Sequence, residues 1–296
     1  MAASPAMIKE LRERTAAGML DCKKALEETN GNMEEAIDYL RKKGIAKAAK
    51  KAGRIAAEGL VFVAVSADGK TGAMVEFNSE TDFVAKNEEF KAFGDLLATT
   101  ILNGDFADVE ALKKSVVNGK TIEEGLTDLI AKIGENMNIR RFKKVTAPEG
   151  FVASYLHMGG KIGVLLVVKG EANEDNKVIS KDITMHIAAI APKFMVKSEV
   201  TTDVLDREKE IARVQLEAEG KPAQVIEKIL EGKMRKYYEE NCLVEQKFVK
   251  NPDLTITQLI KGKLEIVSFE RYLLGDGIEK EEVDFAEEVR KTVQGN

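Results

Sequence analysis

Two apolar runs, each doubling back at a glycine-containing turn, constrain this chain more than any other feature. Residues 60–66 and 71–78 flank Asp68-Gly69, and residues 151–157 and 162–169 flank Gly159-Gly160. Glycine supplies the positive φ of a tight hairpin turn, so each pair predicts an antiparallel hairpin. After the first come helical patterns at roughly 82–102, 106–117 and 121–135, then an alternating strand at 138–145. After the second come a helix at about 179–190 and, much later, a strand at 265–274. One order of elements appears twice, which predicts an α+β fold of two similar halves with antiparallel sheets.

Other segments flank these halves. Ser4 can cap a helix with Pro5 in its first position, and Ala17-Gly18 ends it. A second helix carries Cys22, Ala25 and Leu26 and stops at Asn30-Gly31. Asn32 caps a third, with Glu35 three residues on and Met33, Ala36, Ile37 and Leu40 as its buried stripe. Charged helices at 203–219 and 222–240, joined at Gly220-Lys221-Pro222, predict a helical hairpin projecting from the second half. A last amphipathic helix is expected at 281–293, with Phe285, Val289 and Val293 along one side. The expected organisation is a helical module with a basic linker at 1–56, a first half at 57–147, a second half at 148–277 with 203–241 inserted, and a C-terminal helical module at 278–296.

Composition excludes several classes of function. Apolar residues make up 44% and charged residues 32%, the profile of a globular protein. Net charge is −5, so no global basic field attracts nucleic acid. The one basic run is Arg41, Lys42, Lys43, Lys47, Lys50, Lys51 and Arg54. It has no interleaved aromatics, so it reads as a solvated, Ala-rich linker helix; RNA contact through 42–54 is the competing reading. Cys22 and Cys242 stand far apart, which argues against a disulfide framework or a zinc site. No apolar run approaches a membrane span, and the first residues lack signal-peptide character, so a cytoplasmic location is expected. His157 and His186 sit in apolar surroundings and read as structural, with a catalytic base as the alternative. Asp68-Gly69-Lys70-Thr71 ends like a phosphate loop, but Ala64 stands where its leading glycine belongs. An enzyme with intrinsic chemistry is not expected, nor is a cofactor or a metal.

Residues 78–87, Asn-Ser-Glu-Thr-Asp-Phe-Val-Ala-Lys-Asn, are the chief candidate site. Ser79 and Asp82 match a capping pattern. Phe83 shares helical spacing with Phe90, Phe93 and Leu97, which favours packing. Its neighbours Lys86 and Asn87 are polar, however, and a first-turn aromatic can point past a helix end into a partner.

The stretch 81–86 resembles the signature of the elongation factor Ts family, guanine-nucleotide exchange factors of elongation factor Tu. The segments 8–15 with 18–26, 132–141 and 185–189 are similar to the same family, in order and along nearly the whole chain. The resemblance implies a ubiquitin-associated-like N-terminal unit that grips the partner's nucleotide-binding domain through Arg12, Met19, Leu20 and Lys23. It implies a wedge at Thr81, Asp82, Phe83 and Val84, with Phe83 inserting near the partner's magnesium and phosphate site. Ile133-Gly134 would supply a second contact and His157 a third. Elongation factor Tu, GDP-bound and nucleotide-free, is the implied partner, and release of GDP for GTP the implied function. In some members the helical hairpin dimerises, so a homodimer through 203–241 is also implied.

Overall fold

In the computed structural model, which describes residues 3–15 and 17–279, three helices open the chain: α1 (Pro5–Thr15), α2 (Met19–Glu28) and α3 (Met33–Ala49). They close around Leu11, Cys22, Ala25, Leu26 and Ala36. The Asn32 side chain accepts from the Glu34 and Glu35 amides, starting α3 where the capping pattern places it. α3 runs on into the basic segment and lies against a later helix, α7 (Ile122–Ile133), where a Cβ on Gly44 would meet Ala131 at 3.5 Å.

The first half contains β1 (Glu58–Val65), β2 (Thr71–Ser79), α4 (Asp82–Ala85), α5 (Glu88–Asn103), α6 (Val109–Lys114), β3 (Val116–Val117), β4 (Lys120–Thr121), α7 (Ile122–Ile133) and β5 (Met137–Thr146). The second contains β6 (Gly150–His157), β7 (Ile162–Lys169), α8 (Glu174–Ile190), α9 (Thr202–Ala218), α10 (Ala223–Asn241), β8 (Lys247–Phe248), β9 (Asn251–Thr255), α11 (Ile256–Ile260) and β10 (Glu265–Leu273). The first sheet has the order β1-β2-β5 and the second β10-β7-β6, all antiparallel. In both, the second strand of the hairpin is central and receives the late strand on its free edge, so the two halves share one topology.

The two central strands explain the layering. Ala73, Val75 and Phe77 of β2 face a core shared with α5 and α7, while Met74 faces the opposite way. Val164, Leu166 and Val168 of β7 face a core with α8, while Leu165 and Val167 turn toward the first sheet. A strand covered on both faces must be apolar throughout, which residues 162–168 satisfy before the exposed Lys169 ends the strand. Between the sheets, a Cβ on Gly163 would lie 2.5 Å from Val61 Cγ1 and 2.8 Å from Met74 Sδ, so the close approach requires glycine. α9 and α10 form the expected helical hairpin, with their own small core of Ala212, Leu216, Ile226 and Leu230.

Three expectations need correction. The single helix at 82–102 is two helices, because Asn87 accepts from the Glu89 and Phe90 amides and caps a new start. The N-cap of α4 is Thr81, not Ser79, whose hydroxyl donates to the Thr81 carbonyl. The helix at 106–117 is the six-residue α6. Its expected end is a β3–β4 hairpin around Asn118-Gly119, both at positive φ. The helix expected at 281–293 lies outside the described residues.

Candidate partner-binding site

Phe83 is 77% exposed at the first turn of α4. Its neighbour Val84 is 6% exposed and packs with Phe62, Phe77 and Phe90 in the first core. Val84 thus anchors the helix from below while Phe83 stands on top. The shift from α4 to α5 is what frees the ring. Phe90, Phe93 and Leu97 belong to the core stripe of α5, and the capped break at Asn87 takes Phe83 out of phase with them. Burial of an aromatic ring is worth a few kcal/mol, so a ring left in water beside a buried valine is conspicuous.

Lys86 braces this tip. Its Nζ lies 2.8 Å from Asp82 Oδ2 and 5.2 Å from the Phe83 ring centroid. The hydrogen bond from Lys86 holds the Asp82 carboxyl below the usual carboxylate range. Asp82 therefore presents a fixed negative charge next to the ring.

Ile133 and Gly134 end α7 immediately beside this tip. Gly134 is the left-handed C-cap (φ 90°), and its N–H donates to the Ile130 carbonyl at 2.9 Å. The next residue, Glu135, accepts both the Thr81 N–H (3.0 Å) and the Thr81 hydroxyl (2.8 Å). Glu80 in turn accepts the Asn136 N–H. The two segments singled out in the sequence are thus joined by residues that the sequence reading passed over, Glu80 and Glu135. Lys51 donates to the Gly134 carbonyl, and Asn136 Nδ2 donates to the Arg54 carbonyl at 2.7 Å.

His157 ends β6, half-buried, with Nδ1 3.0 Å from the Tyr155 hydroxyl. The turn after it carries Met158, 70% exposed. Gly160 in that turn lies against Leu60 and Val61 of β1, and Lys161 pairs with Glu58 at 2.9 Å. Lys161 also adds to the field that lowers the Asp82 pKa. The His157 turn and the α4 tip accordingly share the β1 end of the molecule.

Arg12, Met19, Leu20 and Lys23 lie on α1 and α2 and are all exposed, Met19 at 61% and Leu20 at 83%. Like Phe83, Met19 and Leu20 occupy the first turn of a helix with no side-chain cap. Cys22 on the opposite side is fully buried.

Other candidates take structural places. His186 is buried: the Val249 N–H donates to its Nδ1 (3.2 Å), which puts the ring proton on Nε2 facing Gln246 Oε1 at 2.9 Å. Burial pushes its pKa below 6.5, and the Gln246 bond offsets this only in part. Within the basic run, Arg41 pairs with Glu124, Lys43 and Lys47 with Asp21, Lys51 with the Gly134 carbonyl and Arg54 with Glu80. Those cations serve contacts within the chain. Among the described residues, no helix is long and apolar enough to cross a membrane.

A family model described as elongation factor TS matches residues 80–276. Over 290 residues, 97% of this chain and 97% of the relative, the sequence is 50% identical to a protein named Elongation factor Ts from Halothermothrix orenii.

Proposed function

The chain belongs to the elongation factor Ts family, and on that premise we propose that it is a cytoplasmic translation elongation factor that binds elongation factor Tu and promotes release of GDP and its exchange for GTP. The observation that carries this reading is the solvent-facing ring of Phe83 above the buried Val84. Such a ring gains several kcal/mol when a partner encloses it, whereas it contributes little to its own fold.

The reaction needs no bond chemistry in this chain. The factor binds the partner in a conformation that holds magnesium and nucleotide poorly, and the coupling is reciprocal: nucleotide weakens the factor by the same ratio. A thousandfold loosening corresponds to about 4 kcal/mol of differential contact. Phe83 inserts near the magnesium and phosphate site, with Asp82 beside it and Thr81 and Val84 fixing its mount. Ile133-Gly134 and His157 extend the same surface. Arg12, Met19, Leu20 and Lys23 grip the partner's nucleotide-binding domain separately, from a module spanning residues 1–56. The halves divide at 147, and a C-terminal module begins at 278. A homodimer through 203–241 is a further part of the proposal: Ala212, Leu216, Ile226 and Leu230 close the hairpin's own core, while Ile211, Val214 and Val225 stay exposed on the same helices.

The test is release of labelled GDP from elongation factor Tu with and without the protein. Accelerated release supports the reading. Release at the intrinsic rate, with the two proteins at micromolar concentration, overturns it.

A further inference from the structure

Glu80 and Glu135 lie on different turns, and each accepts the backbone N–H of the residue that follows the other: Glu135 takes the Thr81 N–H at 3.0 Å, and Glu80 takes the Asn136 N–H. The Thr81 hydroxyl adds a third bond to Glu135 at 2.8 Å. The turn that launches α4 and the turn that ends α7 are thereby locked in one register. Each acceptor is a carboxylate, and charge-assisted bonds to backbone amides are among the stronger ones. The clasp also reaches the linker after α3. Arg54 Nη1 lies 3.4 Å from Glu80 Oε2, and the Arg54 carbonyl accepts from Asn136, which is itself buried.

The mount of Phe83 needs such a clasp. α4 is only four residues long, too short for its own hydrogen bonds to fix its direction. Its N-cap residue, Thr81, makes no side-chain cap to the helix and spends its hydroxyl on Glu135 instead. Below Thr81 the chain is fixed in β2, and above Phe83 it is fixed by Val84 in the core; the angle between them is left to Thr81.

We infer that Glu135, reciprocated by Glu80, is a positioning residue that aims Phe83 for nucleotide release. The inference rests on the exchange-factor reading above and deepens it. Glu135 makes no contact with the reacting nucleotide; it acts through the ring.

The experiment measures GDP release from elongation factor Tu across a range of factor concentrations, for the wild type, Glu135→Ala, Glu135→Gln, Thr81→Val and Phe83→Ala, and for Glu135→Ala combined with Phe83→Ala. Thermal melting is recorded for each. Glu135→Ala is expected to lower the release rate at saturating factor by about tenfold to a hundredfold, the equivalent of one charge-assisted hydrogen bond. The half-saturating concentration should move by less than about threefold, because the contacts on α1 and α2 are untouched. Glu135→Gln should restore most of the rate: its carbonyl accepts the Thr81 N–H, and its amide can donate to the rotated hydroxyl. In the double variant Glu135→Ala should add nothing to Phe83→Ala, since both act through one ring. Thr81→Val, which keeps the backbone donor, should give a smaller loss and decides the matter if Glu135→Ala does not fold. A normal saturating rate in Glu135→Ala beside a slow Phe83→Ala overturns this inference alone. So do losses that simply add. A normal rate in Phe83→Ala overturns the wedge reading and this inference with it.

Discussion

The Glu76 carboxylate, wholly buried in the central strand β2, accepts the Gly275 N–H at 2.8 Å from a residue 199 positions away. Arg140 and Arg141 of β5 close the same group at 2.9 and 2.6 Å, and Arg141 stacks on Tyr272 of β10 at 4.2 Å. One carboxylate therefore ties the end of the second half to the middle of the first. Burial pushes the Glu76 pKa up, but the Gly275 amide and the two guanidinium groups outweigh it and hold the pKa below 4.5. Glu76→Ala is expected to cost about 3–5 kcal/mol, because two arginines and a backbone amide lose their acceptor. The midpoint of urea unfolding would measure it, and a change under 1 kcal/mol would deny Glu76 this role.

Phe83→Ala should leave stability within about 0.5 kcal/mol of the wild type, since the ring is in solvent. The same change should reduce the exchange rate by roughly thirty- to a thousandfold, the range of a 2–4 kcal/mol interface anchor. Calorimetry and nucleotide release on one preparation separate the two effects.

Leu20→Ala and Arg12→Ala act on the other patch. Each should weaken binding to elongation factor Tu by about tenfold while the melting temperature stays unchanged. Titration calorimetry of the nucleotide-free complex would show it, and unchanged affinity would remove the residue from the contact surface.

His186 gives the fold a pH dependence with a defined sign. Burial lowers its folded-state pKa below 6.5, so the unfolded chain binds the proton more tightly. Stability is full above about pH 6.5 and is lost as pH falls below it, until the folded-state value is reached. Melting temperatures measured between pH 8 and pH 5 should fall, and His186→Gln should flatten that slope.

Gly94 faces the Phe62 ring across the α5–β1 contact, where a Cβ would stand 2.2 Å from the ring carbons. Gly94→Ala should destabilise by about 1–3 kcal/mol through overpacking, despite the better helix propensity of alanine. Chemical denaturation would settle the sign.

The sequence carries the hairpins plainly, because Asp68-Gly69 and Gly159-Gly160 are local signals and the flanking runs are long. Asn32 and Pro5 mark helix starts for the same reason. The break between α4 and α5 is also written locally, as Asn87 followed by two glutamates, but the hydrophobic spacing of Phe83 with Phe90 and Phe93 obscures it. Asn118-Gly119 is a hairpin turn that falls between two helical patterns, 106–117 and 121–135, the first of which absorbs the short strand Val116–Val117. The Glu80–Glu135 clasp has no local signature at all. Its members stand more than fifty positions apart and meet only because β2 and β5 pair in register from Ser79↔Met137 onward. Exposure of Phe83 is likewise a property of packing, which periodicity alone cannot assign, whereas Leu20 is legible because its helical neighbours Lys23 and Lys24 take it off the buried stripe.

The Asn87 cap gives α5 a beginning of its own. Substitutions that repack Phe90, Phe93 or Leu97 can alter the interior without turning the ring that precedes them. A mount separated in this way lets the hidden part of the protein drift through generations while the working surface keeps its aim.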